Sequence, residues 1–201
     1  VEQIKVIIDD AMKAGAERDI GHDYLQDFEE RYSETARVTT PTPWDLMNEL
    51  MQGGLGAGEL GVVVAPAGIG KSWVLSAMGA YALSQKKNVV HYTLELNESY
   101  VGLRYDSIFS GVENQNLKYH KEDVQEKIFD LDGKLTIKYY PTKTCTVNTL
   151  GAHLKKVTSF GNQIDMVLVD YADIMRDVGK AQEMRHALGN IYEDLRGLAG
   201  E

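Results

Sequence analysis

The chain has 201 residues, 43% of them hydrophobic and 25% charged, and a formal net charge of −9; this is the make-up of a globular domain long enough for one sizeable core. The acidic balance excludes a surface that grips phosphate backbones everywhere and leaves room only for a local basic stripe or loop. There is no apolar run of about 18 residues and no basic, apolar, small-residue leader, so the cytosol is the expected compartment. The lone Cys145 rules out an internal disulfide framework.

In "VEQIKVIIDDAMKAG", Ile4, Ile7, Ile8 and Met12 recur at helical spacing and predict one apolar stripe in need of a partner. Residues 17–40 are polar and acidic with scattered aromatics, the pattern of a linker holding a short helix. Pro41 and Pro43 in "TTPTPW" mark a boundary near Thr40. Two domains are expected: a linker helix with its connecting segment over 1–40, and an α/β domain over 41–201. The chain begins at Val1 and stops in a stretch that still reads as helical, so the second domain is expected to be incomplete at its C-terminal end.

From Trp44 onward strands and helices alternate. "WDLMNELM" predicts a short helix, "GGLGAGEL" a glycine-rich turn, and "GVVVA" a buried strand of the parallel type. "SWVLSAMGAYALSQKK" is helical, "NVVHYTLEL" is a second strand, and the interval 97–131 is rich in helix. "KLTIKYYP" is a third strand, "TVNTLGAHLKKVTSF" a helix opening near Thr146, "IDMVLVDYADIM" a fourth strand, and 181–199 a further helix. This order predicts a mainly parallel sheet with helices on both faces. The five histidines show no ligand spacing, and the "HLKK" run at 153–156 reads as a solvated helix face.

Ala65-Pro66-Ala67-Gly68-Ile69-Gly70-Lys71-Ser72 sits between a predicted strand and a predicted helix, the setting of a phosphate-binding loop. Such a loop turns backbone N–H groups toward phosphates at a helix N-terminus, and Gly68 and Gly70 permit the dihedrals this needs. Residues 65–73, with Trp73 opening the helix, are therefore the expected nucleotide contacts. Lys71 is placed to reach the β and γ phosphates of ATP, and Ser72 to ligate Mg²⁺. Pro66 lacks an N–H but presets its φ near about −65°. A magnesium nucleotide also needs a carboxylate at the C-terminal end of another strand, and "MVLVDY" offers Asp170. Glu95, at the end of the second strand, is a candidate for orienting water, although a surface carboxylate would look the same.

These residues resemble the RecA-like ATPase domain of DnaB-type hexameric replicative helicases, especially those of T-even-like bacteriophages. The likeness runs from about Thr40 through "GGLGAGEL", the phosphate loop, "YTLEL" and "VLVDYADIMRD". It implies a RecA-like P-loop fold, ATP and Mg²⁺ as ligands, Glu95 as the group that activates water, and ATP-driven translocation on single-stranded DNA with duplex unwinding. It also implies a hexameric ring, with primase and a helicase loader as partners, in the cytoplasm of a bacterial cell. Arg104 matches an arginine common in the family's helix after the glutamate and receives no catalytic role. Ala172 and Asp173 replace the family's usual Leu-Gln pair. Ile4, Ile7, Ile8 and Met12 correspond to a helix that docks on the neighbouring subunit, with packing inside one chain as the alternative. Another RecA-like ATPase, such as a recombinase or clock-type protein, and a nucleotide-binding assembly module without turnover of its own both stay open. "NQID" at 162–165 has a superficial likeness to a guanine-reading element, but it precedes a strand instead of following one and reads as a turn.

Overall fold

A computed structural model describes residues 21, 23–33, 38–179 and 183–200. The chain divides into two compact units, Val1–Arg37 and Val38–Glu201. In the first, the Asp23 carboxylate accepts the Leu25 and Gln26 amides at 3.0 and 2.9 Å, and helix α1 (Phe28–Ser33) follows. Phe28 and Tyr32, four residues apart and so on one helix face, bring their rings within 5.0 Å. The expected stripe of Ile4, Ile7, Ile8 and Met12 lies outside the described residues.

The second unit opens on a feature that the sequence does not announce. Strand β1 (Thr39–Thr40) pairs antiparallel with β2 (Leu55–Gly56), and α2 (Asp45–Leu50) lies between them. The proline-flanked corner is organised by side chains: Asn48 Oδ1 accepts from the Thr42 amide at 2.7 Å and from its hydroxyl at 2.8 Å, while Asn48 Nδ2 donates to the Thr42 carbonyl at 2.8 Å. Thr42 is buried because each of its polar groups has found a partner.

Behind this corner stands a parallel three-stranded sheet in the order β4 (Leu135–Tyr139), β3 (Val89–Thr93), β5 (Met166–Asp170). The central strand, β3, is buried along its whole length. Its side chains alternate between two cores, as the period of two requires. Val89 faces a cluster with Leu83 of α3 (Lys71–Ser84), Val101 and Tyr105 of α4 (Glu98–Ser110), and Leu168 of β5. Val90 and Tyr92 face the opposite cluster, with Leu150 of α6 (Val147–Ser159) and Ile191 and Leu195 of α7 (Met184–Ala199). In the chain, α5 (Lys121–Phe129) precedes β4. The helix expected near Thr146 does start there: the Thr146 side chain accepts from the Thr149 amide at 3.2 Å, and Thr149 returns the bond to the Thr146 amide.

Two expectations are corrected. "GVVVA" at 61–65 forms no strand ladder, and Val62, Val63 and Val64 are 50%, 38% and 88% exposed. A continuous apolar run signals a tendency to bury, whereas a strand exists only beside a hydrogen-bonding neighbour, and the described sheet ends at β4 and β5. The "HLKK" run is also not uniformly solvated, because the His153 ring accepts or donates at 2.9 Å with the Tyr92 hydroxyl and stands edge-on to Tyr140.

The packing of α3 against α4 depends on Gly79. A Cβ there would stand 2.2 Å from the Tyr105 hydroxyl and 2.9 Å from Leu168 Cδ1. Gly79→Ala is therefore expected to lower stability. Overpacking costs about 1–3 kcal/mol and loss of the Tyr105 hydrogen bond about 1, against roughly 1 regained in helix propensity. Gly189→Ala in α7, where a Cβ meets nothing within 4 Å, should raise stability by up to about 1 kcal/mol. Urea unfolding of the two variants checks the opposite signs.

The same contact holds a buried histidine. His91 Nδ1 lies 2.8 Å from the Tyr105 hydroxyl, and its Nε2 has no partner among the described residues. Burial, helped by the charge of Arg104, pushes the His91 pKa down to about 4. The unfolded chain takes up that proton near pH 6.5 and the folded chain does not, so the stability held above pH 6.5 is lost as pH falls toward 4. Unfolding free energies at pH 7 and pH 5 should differ by about 2 kcal/mol more in the parent chain than in His91→Gln.

Candidate nucleotide-binding site

The 65–70 loop leads directly into α3, whose N-terminal flank is Gly70 at φ 108°. Gly68 has φ 78°, and a Cβ at either glycine would meet nothing within 4 Å, so what the loop demands of both is backbone conformation and not space. No side chain caps α3. The Trp73 and Val74 amides close on the Gly70 carbonyl at 2.9 and 3.0 Å. The amides ahead of them lack intrahelical acceptors and face the loop, where the helix dipole favours an anion. Pro66, Ala67, Gly68 and Ile69 are exposed, and Ala65, Gly70, Lys71 and Ser72 are half-buried. Lys71 Nζ reaches back across the loop and donates to the carbonyls of Ala65 at 2.7 Å and Pro66 at 2.9 Å. Pro66 thus contributes the one polar backbone group it has.

Parallel register carries two acids to the same edge of the sheet. Thr93 of β3 pairs with Asp170 of β5, and the Leu94 amide donates to the Asp170 carbonyl at 2.8 Å. Asp170 is 2% exposed. Glu95 lies two residues beyond the end of β3, exposed, in a bend closed by its neighbours. The Thr93 hydroxyl donates to the Leu96 carbonyl at 2.8 Å and accepts from the Leu96 amide at 3.2 Å, after which the Asn97 side chain caps α4 through the Tyr100 amide at 3.0 Å. The bend around Glu95 is therefore held by its neighbours' hydrogen bonds, and Glu95 itself is exposed. Thr93 and Asn97 were not among the expected site residues, although Thr and Asn beside a strand end are known turn and cap formers.

The loop and Asp170 are brought together by Arg104. Its guanidinium lies over the ring of Trp73, 5.5 Å from the centroid, and its Nη1 stands 3.9 Å from Asp170 Oδ2. Loop helix, α4 and β5 meet at that point. "NQID" lies instead at the opposite end of β5, where the Asp165 carboxylate accepts the Asn88 amide at 2.7 Å and Asn162 accepts from Lys134.

Ser72 and Asp170 offer hard oxygen donors of the kind Mg²⁺ prefers, and the buried Asp170 carboxylate stands beside a guanidinium at 3.9 Å without a closed hydrogen bond to it. The residues present fit that cation. Among the described residues no cluster of three or more His, Cys, Asp or Glu side chains could hold a metal by itself, and no helix is long and apolar enough to cross a membrane.

A glycine-bearing loop feeding a helix N-terminus, with a buried carboxylate at the end of a parallel strand nearby, is the arrangement of an α/β nucleotide-binding domain. The family model for the DnaB-like helicase C terminal domain matches residues 40–201, and the chain belongs to that family. The DnaB-like replicative helicase of Enterobacteria phage T4 is 26% identical over all of this chain and 44% of its own length. The replicative DNA helicase DnaB of Helicobacter pylori strain 26695 is 22% identical over 74% of this chain and 31% of its own. The chain thus spans less than half the length of these relatives. Among solved structures, "The Structure Of A DnaB-Like Replicative Helicase And Its Interactions With Primase" has a TM-score of 0.71 at 16% identity, covering 98% of this chain and 51% of that one. A second solved structure, described as an ATPase domain, has a TM-score of 0.69 at 15% identity, covering 91% of this chain and 67% of its own. The fold is that of helicase ATPase domains, as the residues from Thr40 onward led us to expect.

Proposed function

We propose that this chain binds and hydrolyses ATP as the motor domain of a replicative DNA helicase, a hexameric ring that translocates on single-stranded DNA and unwinds duplex. The observation that carries the reading is the meeting of the phosphate loop's helix with the buried Asp170 at the C-terminal edge of a parallel sheet. Residues 65–73 form the nucleotide cradle, with loop amides and the first turn of α3 directed at the phosphates. Lys71 exchanges its two carbonyl acceptors for phosphate oxygens. Ser72 and Asp170 would hold Mg²⁺, which when bound would supply positive charge against the charge on the transferring phosphoryl group. Glu95 orients the attacking water and takes its proton, and its backbone clasp limits how far that carboxylate can stray.

Residues 1–40 act in this reading as a linker whose Ile4, Ile7, Ile8 and Met12 dock on the neighbouring subunit, and 41–201 carry the ATPase. Primase and a helicase loader are the proposed protein partners, met in the bacterial cytoplasm; the description of one solved relative names primase. The test is ATP hydrolysis by the complete protein with and without single-stranded DNA. Hydrolysis that never responds to DNA would defeat the helicase reading, and failure to bind ATP would defeat the site itself.

A further inference from the structure

Arg104 is placed more oddly than a structural arginine needs to be. Its side chain is 16% exposed, and its buried Nη1 has no hydrogen-bond partner among the described residues although a carboxylate lies 3.9 Å away. An arginine that merely stapled α4 to β5 would close a bidentate fork on Asp170, with bonds of about 2.7–2.9 Å. Here the guanidinium is held back over the Trp73 ring. It balances the charge of the buried Asp170 carboxylate while leaving that carboxylate's oxygens open to another cation.

We propose that Arg104 is a resident counter-ion that competes with Mg²⁺ for Asp170 and thereby keeps the cation, and the nucleotide held with it, exchangeable. The inference rests on Asp170 being the magnesium ligand of the nucleotide site. When Mg²⁺ arrives, Asp170 has two cations beside it; when Mg²⁺ leaves, Arg104 spares the carboxylate from being buried without a partner. Removing Arg104 has two opposed effects. It frees the Asp170 rotamer, which weakens cation binding, and it removes a positive charge a few ångströms from a divalent ion. At an effective dielectric of about 20 that repulsion outweighs the rotamer freedom of one short side chain. Removal should therefore tighten Mg²⁺, the opposite of what loss of a scaffold residue does.

The experiment measures the affinity of the chain for ADP with and without saturating Mg²⁺, by isothermal titration calorimetry. The ratio of the two dissociation constants gives the coupling between nucleotide and cation. Arg104→Met should raise this coupling at least tenfold, whereas Arg104→Lys, which keeps the charge, should stay within about threefold of the parent. Arg104→Gln serves as a second neutral variant should the methionine one fail to fold, with the same tenfold rise expected. Unchanged or weakened coupling in the folded neutral variants overturns the inference while leaving the nucleotide site standing. No ADP binding by the parent chain overturns the nucleotide site, and the inference with it.

Discussion

Lys71→Ala should weaken ATP binding about 100-fold and eliminate hydrolysis. The ammonium now donates to the Ala65 and Pro66 carbonyls, so binding phosphate is an exchange of partners and not a gain from nothing. The exchange is favourable because a phosphate oxygen carries a charge that a carbonyl lacks, so each bond gains charge–charge attraction beyond what the ammonium already makes with a carbonyl. A net gain of about 1.5 kcal/mol at each of the two bonds gives about 3 kcal/mol, which is about 100-fold in affinity. In the variant the two carbonyls turn to water at little cost, since Pro66 is already exposed and Ala65 half-buried. Equilibrium titration with a fluorescent ATP analogue checks the result. Binding within threefold of the parent would show that the loop does not cradle phosphate.

Glu95→Gln should separate binding from chemistry. The amide fills the same space but cannot take a proton, so ATP affinity should stay within about threefold while the hydrolysis rate falls by roughly 10²–10⁴, the usual contribution of a placed general base. The clasp of Thr93 around Leu96 does not involve the Glu95 side chain, so the substitution leaves the bend intact and the loss is one of chemistry. Single-turnover hydrolysis by the complete protein, beside nucleotide titration of the same variant, provides the measurement. A variant that turns over at the parent's rate would return Glu95 to the status of a surface carboxylate.

Much of the fold could be read from local pattern. The runs that became β3, β4 and β5 are apolar or β-branched, the helices between them are long enough to show their faces, and the Thr146 cap has its own short-range chemistry. The failures are non-local. Whether Val62, Val63 and Val64 join a ladder depends on a neighbouring strand that no window around them contains, and the pairing of β1 with β2 involves two residues a side. The candidate site divides in the same way. Gly68, Gly70, Lys71 and Ser72 announce themselves because a phosphate cradle needs them at fixed spacing, and Asp170 because it ends an apolar strand. Glu95 is a candidate from its place at a strand end, which a surface carboxylate shares, and only the family likeness separates the two readings. The position of Arg104 between Trp73 and Asp170 depends on how α4 crosses two other elements, and the sequence carries no spacing that encodes it.

The contact at Gly79 bears on how force could leave this domain. With the Tyr105 hydroxyl where a Cβ would sit, and that hydroxyl tied to His91 in the central strand, α3 can neither slide nor roll against α4 without breaking the core. In the proposed motor, the helix that follows the 65–70 loop is then a stator. Any stroke that nucleotide turnover drives in such a motor has to arise outside the α3–α4 pair, with the sheet and its two helix layers serving as the frame.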